Sequence, residues 1–172
     1  TALSYTYDAN GNILTIKDQS NNILASYTYD SLNQLTGATV GSDVYAYTYD
    51  NGGNITAKTK NGVEVAYTYG NTEWKDLLTN YNGIDIAYDT IGNPLNWING
   101  ETFSWSGGRQ LTGITKGENT VSYTYNDSGI RTSKTVNGVR TDYYLNDTAI
   151  IMQKTGDNVI WYTYDENGLK TG

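Results

Sequence analysis

Ring, hydroxyl, ring is the alternation that recurs along this chain. Tyr5-Thr6-Tyr7 opens it, and Tyr27-Thr28-Tyr29, Tyr47-Thr48-Tyr49, Tyr67-Thr68-Tyr69 and Tyr123-Thr124-Tyr125 repeat it. Phe103/Trp105 and Tyr162/Tyr164 keep the aromatic spacing, while Ile86/Tyr88 and Asp142/Tyr144 are degenerate copies. A period of two places both rings on one face of a strand and the intervening Thr, a good strand former, on the other. Taking the second aromatic as marker, successive spacings are 22, 20, 20, 19, 17, 20, 19 and 20 residues. Nine copies at so constant an interval predict a tandem array.

Turn chemistry punctuates each copy twice. Asp8-Ala9-Asn10-Gly11-Asn12 follows the first aromatic pair, and Asp50-Asn51-Gly52-Gly53-Asn54 and Asp165-Glu166-Asn167-Gly168 follow later ones. Asp30 and the run Asp89, Gly92, Asn93 stand at the same phase. Seven Asn-Gly pairs, beginning at Asn10, Asn51, Asn61, Asn82, Asn99, Asn137 and Asn167, predict type I′ hairpin turns. The second turn of the unit falls at Asn61-Gly62 and, in other copies, at Asn21-Asn22, Gly41-Ser42, Gly117-Glu118 and Gly156-Asp157. Two turns per repeat imply two antiparallel strands, so the whole chain reads as an all-β meander of about 16–18 short strands. The lone proline, Pro94, sits beside the Gly92-Asn93 turn, where a missing donor is tolerable. One segment departs from the pattern: Trp74, Leu77 and Leu78 stand at i, i+3 and i+4, with Asn71 or Thr72 able to cap, which predicts a one-turn helix or knuckle within 72–79.

Composition sharpens this picture. Leu, Ile, Val and Phe number only 33 of 172 residues, and 17 Tyr and 4 Trp supply the missing apolar surface. Such a chain suits a thin structure with a shallow core. The net charge of −7, with 11 Lys and Arg scattered singly, gives no basic face for nucleic acid or anionic membrane. No apolar run approaches the length of a membrane-spanning helix, so membrane insertion is not expected. With no Cys and no His, disulfides, thiolate chemistry and the usual general base are excluded. The Asn/Gly/Thr-rich, acidic, cysteine-free composition fits an exported or surface protein of a bacterium. The lack of an initiating Met and the ends at Thr1 and Gly172 lead to the expectation of a piece of a longer chain.

The recurring Tyr-Thr-Tyr-Asp with Gly-Asn after the turn resembles the tyrosine–aspartate (YD, or Rhs) repeat family over essentially the whole chain, 1–172, as a single array of about nine repeats. Trp74-Lys75-Asp76-Leu77-Leu78-Thr79, Tyr88-Asp89-Thr90-Ile91-Gly92-Asn93-Pro94 and Trp105-Ser106-Gly107-Gly108-Arg109-Gln110-Leu111 look like later repeats of such proteins. The resemblance implies an open strip of a β-hairpin ribbon that, in the bacterial toxins of the family, spirals into a shell around a C-terminal effector. Its implied partners are the remainder of the parent polypeptide and that effector. The closing motif linked with self-cleavage in the family has no counterpart in these residues.

Each remaining candidate carries a structural reading beside the functional one. The repeat aromatics Tyr5, Tyr7, Tyr27, Tyr29, Tyr47, Tyr49, Tyr67, Tyr69, Tyr88, Phe103, Trp105, Tyr123, Tyr125, Tyr144, Tyr162 and Tyr164 could form a sugar platform. Their regular repetition favours glue between hairpins. Trp74, Trp97, Trp105 and Trp161 are the less regular aromatics and the ligand candidates, with core anchoring the preferred reading for each. The turn residues Asp8, Gly11, Asn12, Asp30, Asp50, Gly53, Asn54, Asp89, Gly92, Asn93, Asp165 and Gly168 are read as turn formers. Asp8, Asn10 and Asn12 do have the spacing of a calcium loop, but the glycine and the terminal Glu of such a loop are misplaced or missing. Glu101, Glu118, Asp142 and Asp157 lie near turns with nothing that points to a shared cleft, and Ser133 and Lys134 alternate on one strand. The expectation is therefore a scaffold with no enzyme activity, cofactor or metal. The alternative is a surface module that grips cell-wall polysaccharide or a glycan, although the Gly-Trp and Trp-Tyr-Tyr motifs of choline- and glucan-binding repeats are lacking. Open sheet edges further predict weak edge-to-edge self-association.

Overall fold

The computed structural model describes residues 2–172. They form two compact units, 2–85 and 86–172. The first carries one antiparallel sheet in strict chain order: β1 (Ser4–Tyr7), β2 (Ile13–Lys17), β3 (Ile23–Tyr29), β4 (Leu35–Val40), β5 (Asp43–Tyr49), β6 (Ile55–Lys60), β7 (Val63–Thr68), β8 (Asn80–Tyr81) and β9 (Ile84–Asp85). The second carries β10 (Thr102–Ser106), β11 (Gln110–Lys116), β12 (Asn119–Tyr125), β13 (Arg131–Val136), β14 (Val139–Asn146), β15 (Ala149–Thr155) and β16 (Asn158–Trp161), again in chain order. Neither sheet closes on itself, and there is no helix among the described residues. Isolated bridges Tyr88↔Pro94, Asn96↔Thr102 and Tyr164↔Lys170 extend the meander at both ends of the second unit.

Register explains the sequence alternation. Tyr45 and Tyr47 face Lys60 and Lys58 across β5 and β6, while Ala46 and Thr48 face Thr59 and Ala57 on the opposite side. One face is therefore tyrosine-rich and the other is built of Thr, Ala, Ser and Gly. On the small-residue face, hydroxyls pair across several hairpins, as in Thr6–Thr15 at 2.7 Å, Thr28–Thr36 at 3.1 Å, Thr48–Thr56 at 2.9 Å and Thr124–Thr132 at 3.0 Å. Gly37 belongs there because a Cβ at its position would lie 2.7 Å from the Thr28 hydroxyl. Burial is shallow, as the aliphatic-poor composition requires: Ala25, Ala38 and Ile86 are the buried hydrophobic residues among those described.

Two details differ from the sequence expectation. In six repeats the first turn is not a type I′ turn. Asp8 N–H donates to Asn12 O at 3.0 Å and Gly11 N–H to Asp8 O at 3.2 Å, and only the fourth residue of the loop, Gly11, takes positive φ. This is a longer loop ending in a left-handed residue. The same bonds recur from Asp18, Asp30, Asp50, Asp89, Trp97, Asn126 and Asp165. Only Asn61, Asn82 and Asn137 join their glycines in positive φ as a two-residue turn requires. The other correction concerns 72–79, where no helix forms. Asn71 Oδ1 accepts from Glu73 and Trp74 N–H, and Leu77 N–H reaches Trp74 O at 3.1 Å, but the turn goes no further. A single turn cannot offset the cost of helix nucleation. The excursion closes instead through Thr79, whose N–H donates to Thr68 O and whose hydroxyl accepts from Gly70 N–H.

Candidate functional site: the carboxylate loops and the hydroxyl ladder

Where an Asp follows the aromatic pair, at positions 8, 30, 50, 89 and 165, it is a local organiser. Asp8 Oδ1 accepts from Asn10 N–H at 2.9 Å and Asn12 N–H at 2.8 Å, and Oδ2 accepts from Asn12 Nδ2 at 2.8 Å. Asp18, Asp50 and Asp89 repeat all three bonds with Asn22, Asn54 and Asn93 in the fifth position. Asp30 and Asp165 keep the Oδ1 pair, and Asn126 shows that a neutral amide oxygen also serves. Donation from the Asn side-chain amide, reinforced by loop N–H groups, lowers the pKa of the Asp8, Asp18 and Asp50 carboxyls. For Asp89 the backbone N–H of Asn93 is the larger cause. These carboxylates are turned onto donors of their own loop, which fits turn formation. Among the described residues no three acidic side chains gather to hold a metal ion.

Loops of successive repeats are then joined to one another. Asn10 Nδ2 and Asn12 Nδ2 both donate to Asn33 Oδ1, at 2.9 and 2.8 Å. Asn93 Nδ2 reaches Gly108 O at 2.7 Å, and Arg109 reaches Ile91 O at 3.1 Å. On the opposite sheet edge, Asn61 accepts from Val44 N–H and donates to Asp43, and Asn137 does the same with Thr120 N–H and Asn119.

The tyrosine pairs divide the work between their two members. The first hairpin of six repeats carries a bulge: in β3–β4, Thr28 faces Gly37 but Tyr29 faces Leu35, so Thr36 is an extra residue. Corresponding slips occur at Tyr7/Ile13, Tyr49/Ile55, Trp105/Leu111, Tyr125/Arg131 and Leu145/Ile150. A bulge leaves a backbone group outside the ladder. Beside five of these bulges the second aromatic of the next repeat supplies a donor. Tyr29 Oη donates to Ile13 O at 3.0 Å, Tyr49 to Leu35 O at 2.7 Å, and Tyr69 to Ile55 O at 3.1 Å. In the second unit, Tyr125 donates to Leu111 O at 2.7 Å and Tyr164 to Ile150 O at 2.8 Å. Trp105 Nε1 donates to Pro94 O at 2.7 Å, an indole taking the phenol's place. Burial raises the pKa of the Tyr29, Tyr49 and Tyr69 hydroxyls. The first aromatic instead meets cations: Lys58 lies 6.0 Å from the Tyr47 ring, Arg131 5.0 Å from Tyr123 and Lys170 3.4 Å from Tyr162. Tyr5 and Tyr7 stack at 6.5 Å, Phe103 tilts against Trp105, and Tyr67 meets Tyr81 edge-on at 5.1 Å.

Of the ligand candidates, Trp105 is in the ladder, whereas Trp74, Trp97 and Trp161 are exposed, Trp161 on the outermost strand of its sheet. An open groove of about 440 Å³ runs between neighbouring loops, lined by Asp30, Leu32, Gln34, Tyr47, Tyr49 and Asp50. The acidic residues find local roles: Glu101 pairs with Lys116 at 2.9 Å and Asp142 with Arg140 at 2.7 Å. Ser133 is buried and bonded to the Thr124 hydroxyl at 2.7 Å. The loop at Asp18 and the bulge carbonyls are features that sequence reading did not assign. The first was detectable as Asp followed four residues later by Asn22, with Asn21 replacing the usual glycine.

Residues 7–43 match the family model described as RHS Repeat. No curated protein matches the chain. Among solved structures, TcdB2-TccC3 without its hypervariable C-terminal region aligns with 98% of this chain at 17% identity and a TM-score of 0.67. TcdB2-TccC3-Cdc42 aligns with 94% of it at 19% identity and 0.55. The Photorhabdus luminescens Tc holotoxin pore with a TccC3 mutation aligns with 94% at 20% identity and 0.55. In each case the match is of fold, and it spans only 10–12% of the other chain.

Proposed function

We propose that this chain, which carries an RHS repeat at residues 7–43, is a non-catalytic stretch of the wall that an exported Rhs-type polypeptide builds around a C-terminal effector. One observation carries the reading: in six places along the array an aromatic side chain donates a hydroxyl or indole N–H to a backbone carbonyl of the repeat before it. That link holds successive hairpins in a fixed relation, which is what a wall requires and what a catalytic site would not explain. The fold shared with TcdB2-TccC3 supports it. On this reading the partners are the rest of the polypeptide and the enclosed segment, and the protein acts outside the bacterium that makes it. The single array of 1–172 is one continuous length of that wall.

Protease challenge of the purified parent polypeptide tests the proposal. The segment downstream of residue 172 is expected to survive in native buffer, as read by mass spectrometry, and to be cut once urea opens the repeats. Equal cleavage in the two conditions would overturn it.

A further inference from the structure

All seven Asn-Gly pairs are exposed, and each has the chemistry for spontaneous succinimide formation. The glycine nitrogen loses its proton and attacks Cγ of the asparagine, a carbon–nitrogen bond forms, and the side-chain nitrogen leaves as ammonia. Water then opens the imide to aspartate or isoaspartate. Two groups must be free to meet: the asparagine amide and the glycine N–H.

The structure restrains these groups in three different ways. At Asn61 and Asn137 the side chain is held at both ends, by Val44 N–H and Asp43 and by Thr120 N–H and Asn119. Asn10 is held through Nδ2 by Asn33. At Asn51 and Asn82 the glycine nitrogen is engaged by a side-chain oxygen. Gly52 N–H lies on the Asp50 carboxylate at 2.8 Å, whose charge opposes the nitrogen anion the reaction needs. Gly83 N–H lies on Asn80 Oδ1 at 2.9 Å, and Asn80 is itself clamped to Asp85. At Asn99 and Asn167 the restraint is least. Neither side chain bonds to any described residue, and the glycine N–H groups meet only a neutral loop carbonyl, Trp97 O and Asp165 O, each at 3.0 Å. Both loops close hairpins that are joined by isolated bridges rather than full ladders.

We infer that Asn99 and Asn167 are the sites at which the folded protein deamidates, and that the cross-strand latches on Asn61 and Asn137 keep those turns intact. The two consequences are opposite. The latched asparagines preserve the two-residue turns that need positive φ, whereas conversion of Asn99 or Asn167 inserts a backbone methylene or a charge into a loop.

The intact chain is aged in mildly alkaline buffer, digested, and mapped by fragment-ion mass spectrometry for acid and isoacid at each pair. Acid at Asn99 and Asn167 is expected to accumulate about tenfold faster than at Asn61 and Asn137, the factor that a net hydrogen bond of ordinary strength imposes on a rate. In urea the seven rates converge. The D43A variant, which frees Asn61 Nδ2, raises the Asn61 rate without changing that at Asn167. Folded-state reaction at Asn61 or Asn137 as fast as at Asn167 would overturn the inference, as would complete silence of Asn99 and Asn167 while the urea sample converts.

Discussion

The hydroxyl ladder predicts that removing one oxygen atom loosens two repeats. Tyr49→Phe deletes the donor to Leu35 O, a bond of 2.7 Å from a partly buried ring, and leaves all other contacts of the ring in place. The cost combines the lost bond with the desolvation of a carbonyl that the bulge has already withdrawn from the ladder, about 1–2 kcal/mol together. Tyr47→Phe is the matched control: it removes the same atom from the same strand, but the Tyr47 ring works through Lys58 rather than through its hydroxyl. Its expected cost is about 0.5 kcal/mol or less. Urea unfolding followed by far-UV circular dichroism gives both values. Native-state hydrogen exchange should show the loss concentrated in the β3–β4 hairpin, which holds the orphaned acceptor. If Tyr49→Phe and Tyr47→Phe cost the same, the hydroxyl does not join repeats and the wall argument loses its physical basis.

Other expectations follow from the same geometry. The Asp8, Asp18, Asp50 and Asp89 carboxyls have pKa values below the unfolded value. Their contribution is therefore complete above about pH 4 and is lost as pH falls through the folded values, so the urea midpoint should drop on acidification. Asp50→Asn should blunt that drop, because Asn126 already shows the neutral oxygen accepting the loop N–H groups. Tyr29, Tyr49 and Tyr69 have raised pKa values, so their contribution is present below about pH 10 and lost as pH rises through the folded values; alkaline titration of urea midpoints should show a decline above that point. Gly37→Ala, with its Cβ 2.7 Å from the Thr28 hydroxyl, should destabilise by about 1–3 kcal/mol, and adding Thr28→Ala should recover part of it. Titration with cell-wall polysaccharide and a glycan panel should leave Trp fluorescence unchanged, since the groove between the Asp30 and Asp50 loops is lined by no Trp; a saturable response would favour a binding module.

Much of the architecture could be read from residue types because each repeat spends the same ones on the same task. Tyr-Thr-Tyr announces a strand with two unlike faces, and both faces are there. The bulges were invisible: Thr36 and Thr56 are ordinary strand residues, and nothing in their identity says that they are left unpaired. Without the bulge, the second tyrosine looks equivalent to the first, so the different duties of Tyr47 and Tyr49 could not be told apart. The Asn-Gly pairs misled in the opposite direction. Asn10-Gly11 has turn-forming chemistry, but Asp8 captures N–H groups two and four residues on and lengthens the loop. Trp74, Leu77 and Leu78 match helical spacing in a segment with room for one turn only, and Thr79 closes it as a loop.

The ladder has a direction. In every described link the acceptor carbonyl lies 11–16 residues before its donor. A chain made from its N-terminus, or drawn out of a narrow passage in that order, has each acceptor in place before the matching hydroxyl emerges. Each repeat can complete itself against the repeat already made, without waiting for a distant part of the chain. Assembly is in this sense vectorial: the same bond that ties a repeat to its predecessor also sets the order in which the array can be laid.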